Sequence, residues 1–313
     1  MNTSPVAVVC YAYYARHLPQ LAHTVSRFLH GLHGLHGLPG VEAGDEGAAG
    51  VAGVQPPVVV VRAPQLPSAA LQIGGPGGTR VQTVELAYDG SGWEFGAYQR
   101  GLDWLAEHGF HGTVAVFNDT AGVHYPLRRS ELVAMRRFAQ QALADEVALM
   151  GGVQSQAGFT MHDLPVASWV RSNAFVMTAA ARAALHNRIY FADEFNAPKV
   201  TAQGLQLPSH LSPALGRYIQ QWLTSAGPEG WRWHAGWAEP PAEVLRGKAG
   251  SILLEKLLAA RVLAAGGTLL PSQAPQPGRL QQLADRAFYW SRRVARWRAP
   301  PRAAEASAEP GRA

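Results

Sequence analysis

Three short runs constrain this chain more than any other feature: VAVVCYAYY at 6–14, VVVVR at 58–62 and TVAVFN at 113–118. Up to the closing Arg62 and Asn118 of the second and third, each is an unbroken apolar, β-branched or aromatic run rather than an alternating one, which suits a strand buried on both faces. Between and after them the spacing turns helical. Leu21, Val25, Phe28 and Leu29 mark a helix over 18–29, a second is expected at about 93–108, and Leu132, Met135, Phe138 and Leu143 mark a third at about 128–145. Further strands are expected at 80–88, 147–153 and 168–177. Helices follow at 178–185, near 211–224, and from Arg246 to Ala265, where Gly266-Gly267 stops the last one. Strands alternating with helices at this spacing predict an α/β fold: a mostly parallel, Rossmann-related sheet flanked by helices, with a helical C-terminal extension.

A chain of 313 residues with 47% apolar and 16% charged residues has the composition of a globular protein and the length for a substantial core. Cys10 is the only cysteine, so no intrachain disulfide framework exists. No apolar run approaches the ~18 residues of a spanning helix. The N-terminal segment lacks a basic n-region and reads as a first strand, so a cytoplasmic protein is expected.

Residues 1–270 are expected to form one domain, interrupted at 30–55 by a low-complexity surface insertion that begins HGLHGLHGLPG. Its histidines, His30, His33 and His36, suggest metal binding at first sight. Each repeat carries a glycine that costs a helix about 1 kcal/mol relative to alanine, and no acidic or cysteine partner is near. Residues 271–278 read as a Pro/Gln linker and 299–313 as a disordered tail. Between them, 279–298 form a basic amphipathic helix with Leu280, Leu283, Ala287, Trp290, Val294 and Trp297 on one stripe. Net charge is +5, and Arg279, Arg286, Arg292, Arg293, Arg296, Arg298 and Arg302 face a single acid, Asp285. Such a segment is either a solvated face or a contact for an anionic membrane surface, a phosphorylated substrate or nucleic acid. No nucleic-acid readout motif accompanies it, so no nucleic-acid partner is expected.

Two elements carry chemistry. The run DGSGWEFGAYQRGL, from Asp89 to Leu102, is a glycine-rich loop opening a helix. Gly90 and Gly92 permit backbone conformations and close approaches that a Cβ blocks, while Asp89 and Glu94 can accept hydrogen bonds from sugar hydroxyls. Phe95 stands where a dinucleotide fingerprint needs its third glycine, and no Gly-Lys-Ser/Thr follows, so neither phosphate motif is present. A tight turn with Asp89 near a helix N-cap is the plainer alternative. The second element is Asn118-Asp119-Thr120, an acid just past a buried strand, a usual place to hold Mg²⁺ or Mn²⁺ against a diphosphate; Asn-Asp is also ordinary turn chemistry. In an open α/β sheet both elements fall beyond the carboxyl ends of the strands, where ligands bind. Elsewhere, His162-Asp163 can pair as a base and its orienting partner, or be solvated loop residues. Trp231, Trp233 and Trp237 can stack on sugar rings or belong to the core.

Taken together, Ala12-Tyr13-Tyr14, the Asp89–Leu102 loop, Phe117-Asn118-Asp119-Thr120, WVRSNAFVM at 169–177 and KAGSILLEKLL at 248–258 resemble the nucleotide-sugar glycosyltransferases of the GT-A type. The branch most similar is that of rhamnan-synthesis protein F and related polysaccharide-biosynthesis enzymes, over roughly residues 6 to 267. The resemblance implies a GT-A-like domain and a hexosyltransferase-like activity that moves a sugar from a nucleotide-diphosphate donor to a glycan or lipid-linked acceptor. It places Tyr13 in the nucleotide pocket and Asp89, Gly90, Gly92 and Glu94 at the donor's sugar or ribose. Asn118 and Asp119 take the place of an Asp-x-Asp motif, Asp119 being the ligand for Mg²⁺ or Mn²⁺ and a catalytic residue. Ser172 and Asn173 face the sugar, and Glu255 is the catalytic residue on the acceptor side. Thr120 stands where a second carboxylate belongs. That departure keeps a rival open, a non-catalytic carbohydrate-binding or scaffold protein that retains the fold. Under the enzyme reading, residues 279–298 lie on anionic lipid, peripheral at the inner membrane.

Overall fold

The computed structural model of the chain describes residues 5–30, 32, 56–68, 71–74, 81–123, 127–225, 227, 230–232 and 239–273. Most of the 30–55 insertion, Trp233, Trp237 and everything from residue 274 onward, including the 279–298 segment, lie outside the described residues.

The chain runs β1 (Val6–Ala12), α1 (Leu18–Leu29), β2 (Val58–Arg62), β3 (Thr83–Ala87), α2 (Trp93–Glu107), β4 (Thr113–Asn118), α3 (Arg129–Gln141) and β5 (Ala148–Ser155). A hairpin of β6 (Thr160–Met161) and β7 (Leu164–Pro165) precedes β8 (Ser168–Met177), α4 (Ala179–Ala184) and α5 (Ala192–Asn196). A second small hairpin, β9 (Lys199–Thr201) and β10 (Gly204–Gln206), leads to α6 (Pro213–Thr224), α7 (Ala242–Ala264) and β11 (Thr268–Pro271).

Seven strands form one sheet in the order β11-β5-β8-β4-β1-β2-β3. Strands β1, β2, β3 and β4 pair in parallel, as do β5 and β11, while β8 is antiparallel to both β4 and β5. The expected class, an α/β fold with a mostly parallel sheet flanked by helices, is the one observed. The period-2 alternation of β1 sorts its side chains between two layers. Ala7, Val9 and Tyr11 pack with Val59, Val61, Val114 and Val116 under α2 and the Leu254, Leu258 and Val262 stripe of α7. Val8, Cys10 and Ala12 pack with Val58, Val60, Ala115 and Phe117 under α1 and α3. At about 1.5–3 kcal/mol for each large apolar side chain buried, these two clusters are the main source of stability. Burial also holds the Cys10 thiol far above its ordinary pKa, as befits an inert core residue.

A third cluster joins α6, Trp169, the β6–β7 hairpin and the other side of α7. Helix α7 is therefore covered on two sides, which explains why its apolar residues run all round rather than in one stripe. Among the described residues no helix is long and apolar enough to cross a membrane.

The small elements β6, β7, α5, β9, β10 and β11 lie outside the sequence expectations. Each has two to five residues, too few for a periodic signal, and tertiary contacts hold them. Strand β11 also moves a boundary: Pro271, expected to open a linker, pairs with Gly151 at the sheet edge, and the Ser272 amide donates to the Gly151 carbonyl at 2.8 Å. An edge strand is where a sheet tolerates proline.

Candidate functional site

After β1 the chain adds β2 and β3 on one side, then crosses back to place β4 on the other. The strand order reverses there, so the carboxyl ends of β1 and β4 open on a crevice of the kind that receives ligands in α/β sheets. Asp119 sits in it, immediately beyond β4, with 2% of its surface exposed. Its Oδ2 accepts the backbone N–H of Tyr13 at 2.9 Å and also that of Tyr14. Burial lifts the carboxyl to about 7, outweighing these two amide bonds, and the charge of nearby Glu94 adds to the rise. Asn118 Oδ1 accepts both the amide and the hydroxyl of Thr120, at 3.0 and 2.7 Å, and the Asn118 side chain also bonds the Tyr98 hydroxyl.

The second wall is built by an irregularity in β8. Gly151 pairs with Phe175 and Val153 with Val170, so two steps along β5 match five along β8. Residues 171–174 bulge from the β5 side of the ladder, and bulges of this sort re-aim side chains next to sites. The Ser172 amide, released from that ladder, donates to Glu255 Oε2 of α7 at 2.8 Å. Its hydroxyl donates to Glu94 Oε1 at 3.4 Å, and its carbonyl accepts from the Tyr98 hydroxyl at 2.8 Å. Ser172 thus links Glu94, in the first turn of α2 where the helix dipole favours an anion, to Glu255, eighty-three residues along the chain. Asn173 lies half-buried in the same bulge.

Glu255 Oε1 meets Lys256 Nζ at 3.2 Å, and that ammonium also lies 3.4 Å from the centre of the Trp169 ring. Burial depresses the Lys256 pKa to about 8, with Glu255 acting in the opposite sense. Burial together with Asp119 and Glu94 pushes the hydroxyls of Tyr11 and Tyr98 upward, so they remain proton donors. Carboxyl groups and phenols thus converge at these strand ends, and they are largely buried: Tyr98 is fully covered and Tyr11, Asp119 and Glu94 are 5%, 2% and 8% exposed.

The glycine loop forms the rim. Gly90 and Gly92 have φ of 88° and 76°, in the left-handed region. A Cβ at Gly90 would meet nothing, whereas one at Gly92 would collide with the Tyr190 ring, so the close approach Gly92 allows is made by the protein itself. Asp89 is exposed and accepts the amide and hydroxyl of Ser91 at 2.9 and 2.7 Å. These two bonds hold its carboxyl below the ordinary range and make the turn conformation of this loop a matter of local chemistry.

Tyr13, Glu94, Asn118, Asp119, Ser172 and Glu255 are therefore brought together from five separate segments, with Asp89, Gly90 and Gly92 at the edge. Tyr98, Tyr190, Lys256 and Trp169 join these groups in the structure, and nothing in their local spacing sets them apart in the sequence. His162 and Asp163 read either as a base with its orienting partner or as solvated loop residues. The structure instead places His162 Nε2 at 2.8 Å from Glu194 Oε2, and the nearby His210 Nε2 at 2.8 Å from Glu194 Oε1. Trp231 packs half-buried against the third cluster.

A Mg²⁺ or Mn²⁺ ion needs free oxygen ligands in near-octahedral array. Asn118 Oδ1 accepts from Thr120 and Asp119 Oδ2 from two amides, so a divalent ion here would take Asp119 Oδ1 and the phosphates of a bound donor as its oxygen ligands. No protein-family model matches the sequence, and no curated protein matches it.

Proposed function

We propose that this chain is a GT-A-type glycosyltransferase, related to the rhamnan-synthesis protein F branch, that transfers a sugar from a nucleotide-diphosphate donor to a glycan or lipid-linked acceptor. One observation carries the reading: residues singled out by the resemblance over 13–255 converge on a single crevice at the carboxyl edge of the sheet, where Ser172 bridges Glu94 and Glu255 and Asp119 ties off Tyr13. The strand order, with one reversed strand next to β4, is compatible with this fold.

In the proposed reaction the bond from the anomeric carbon to the diphosphate oxygen breaks and a bond to an acceptor oxygen forms. The acceptor hydroxyl loses its proton to Glu255, and the diphosphate leaves as the nucleoside diphosphate. Tyr13 and the exposed Tyr14 offer ring faces to the base, and Arg16, 5.3 Å above the Tyr14 ring, offers a cation to the phosphates at the rim. Glu94, Ser172 and Asn173 orient sugar hydroxyls, and fixing the donor in this way is the main rate contribution asked of the site. No step is routed through a metal. The 279–298 segment is proposed to hold the enzyme on anionic lipid near its acceptor, and deleting 279–313 should abolish salt-sensitive binding to anionic vesicles.

The alternative, a fold-retaining carbohydrate-binding or scaffold protein, draws on the commitment of Asp119 to backbone amides. Hydrolysis of nucleotide-sugar donors by wild type and Asp119→Ala separates the two. The enzyme reading expects turnover in wild type and a loss of about 10²-fold or more in the variant, whereas equal background rates in both would remove it.

A further inference from the structure

The turn between β6 and β7 has His162 and Asp163 at its two central positions, both with positive φ, 49° and 61°. Two-residue hairpins of this handedness ordinarily use Asn-Gly, and a histidine there is an uncommon, costly choice. The conformation aims the imidazole at Glu194 on α5. The backbone brings a second imidazole beside it: Met161 bridges Leu211, and the His162 amide donates to the His210 carbonyl at 3.2 Å. The two rings stack with centroids 3.7 Å apart and planes within 14°, each with Nε2 on a different oxygen of the same carboxylate. Glu194 itself is 7% exposed, whereas His162 is open to solvent.

A buried carboxylate between two imidazoles is a charge that calls for a cation. The three ligand atoms lie within 4.8 Å of one another, the only such group of three among the described residues. Two nitrogens and one carboxylate suit a borderline first-row ion and not Mg²⁺ or Ca²⁺, which prefer all-oxygen sets. On a tetrahedral zinc ion, ligand atoms at about 2.0–2.2 Å from the metal stand roughly 3.3 Å apart. The 2.8 Å contacts seen here therefore need to widen by only about half an ångström, a small movement for an exposed imidazole.

We propose that His162, Glu194 and His210 form a binding site for one divalent transition-metal ion of the zinc class, separate from the Asp119 crevice. Three protein ligands leave a coordination position open to solvent on the His162 side. The ion clips the β6–β7 hairpin and the entry to α6 onto α5, whose residue Asn196 accepts from the Arg246 guanidinium of α7 at 2.9 Å. The metal completes a surface that connects to the helix carrying Glu255, without being part of the sugar site.

The full chain, stripped with chelator, is dialysed against Zn²⁺ for elemental analysis and titrated with Co²⁺ for its visible ligand-field bands. One ion per chain with tetrahedral-type absorption is expected, together with a Zn²⁺-dependent rise in melting temperature. His162→Ala and His210→Ala should each weaken binding roughly 100-fold or more and remove that rise, while Asp119→Asn leaves both intact. His162 is exposed on a turn, so its variant tests the site even where Glu194→Gln fails to fold. Absence of uptake by the wild type, or uptake that both histidine variants retain, overturns the proposal.

Discussion

Asp119 Oδ2 accepts the Tyr13 amide proton at 2.9 Å, joining the ends of two strands that are 106 residues apart in sequence. The same oxygen accepts from Tyr14, so the segment that follows β1 is shaped by an acid that follows β4. This makes Asp119 a positioning group for Tyr13 and Tyr14, and its burial predicts how the acid responds to pH.

The Asp119 carboxyl is raised from 3.8 to about 7 in the folded chain. Between those values the unfolded chain has released the proton and the folded one retains it, so stability falls as pH rises through this window and stays low above it. The full effect is on the order of 4 kcal/mol. Asp119→Asn removes the titration. Melting curves at pH 5 and pH 8 should show the wild type losing stability relative to the variant as pH rises. Parallel curves would place the titration elsewhere.

Glu255 accepts the Ser172 amide and pairs with the buried Lys256. Glu255→Ala leaves the amide without its acceptor and the Lys256 ammonium with only the Trp169 ring, and should cost about 3–5 kcal/mol in denaturant unfolding. Glu255→Gln keeps an oxygen for the amide and should cost less. Transfer activity is expected to fall about 10²-fold or more in both, so activity and stability separate in the glutamine variant.

At Gly92 a side chain must adopt φ near 76° and displace the Tyr190 ring. Gly92→Ala is expected to destabilise by about 2–4 kcal/mol. In the Gly92→Ala/Tyr190→Ala double variant the steric part is relieved and about 1–2 kcal/mol of backbone cost remains, a coupling that a double-mutant cycle reads directly.

Arg182, 4% exposed, donates to the Gly112 and Phe110 carbonyls and to Asn187 Oδ1, latching α4 to the entry of β4. Burial lowers its pKa to about 10. Arg182→Met strands several acceptors and should cost about 3 kcal/mol without changing donor affinity, as measured by denaturant unfolding and ligand titration.

The central strands were legible because VAVVCYA, VVVV before Arg62 and VAVF between Thr113 and Asn118 are unbroken apolar runs, and burial on both faces leaves that mark in one dimension. The crevice was legible in part: Asp119 and the glycine loop announce themselves by following strands. What joins them was not. Ser172 reaches Glu255 through a bulge in β8 that no local pattern encodes, and Gly92 makes room for Tyr190 rather than for a ligand. For His162 the local sequence offered only its neighbour Asp163 or a solvated loop, whereas its partner lies thirty-two residues on, brought there by a five-residue helix too short to be read from periodicity.

The proposed function requires that the Asp119–Ser172–Glu255 crevice bind a nucleotide-sugar donor. Titrating the wild-type chain with individual nucleoside-diphosphate sugars, by calorimetry, tests it most directly. Saturable binding of at least one such donor is expected, weakened about tenfold or more by Ser172→Pro, which removes the amide that anchors Glu255, and by Asp119→Ala. Absence of binding by every nucleoside-diphosphate sugar, or binding that both variants leave unchanged, would contradict it.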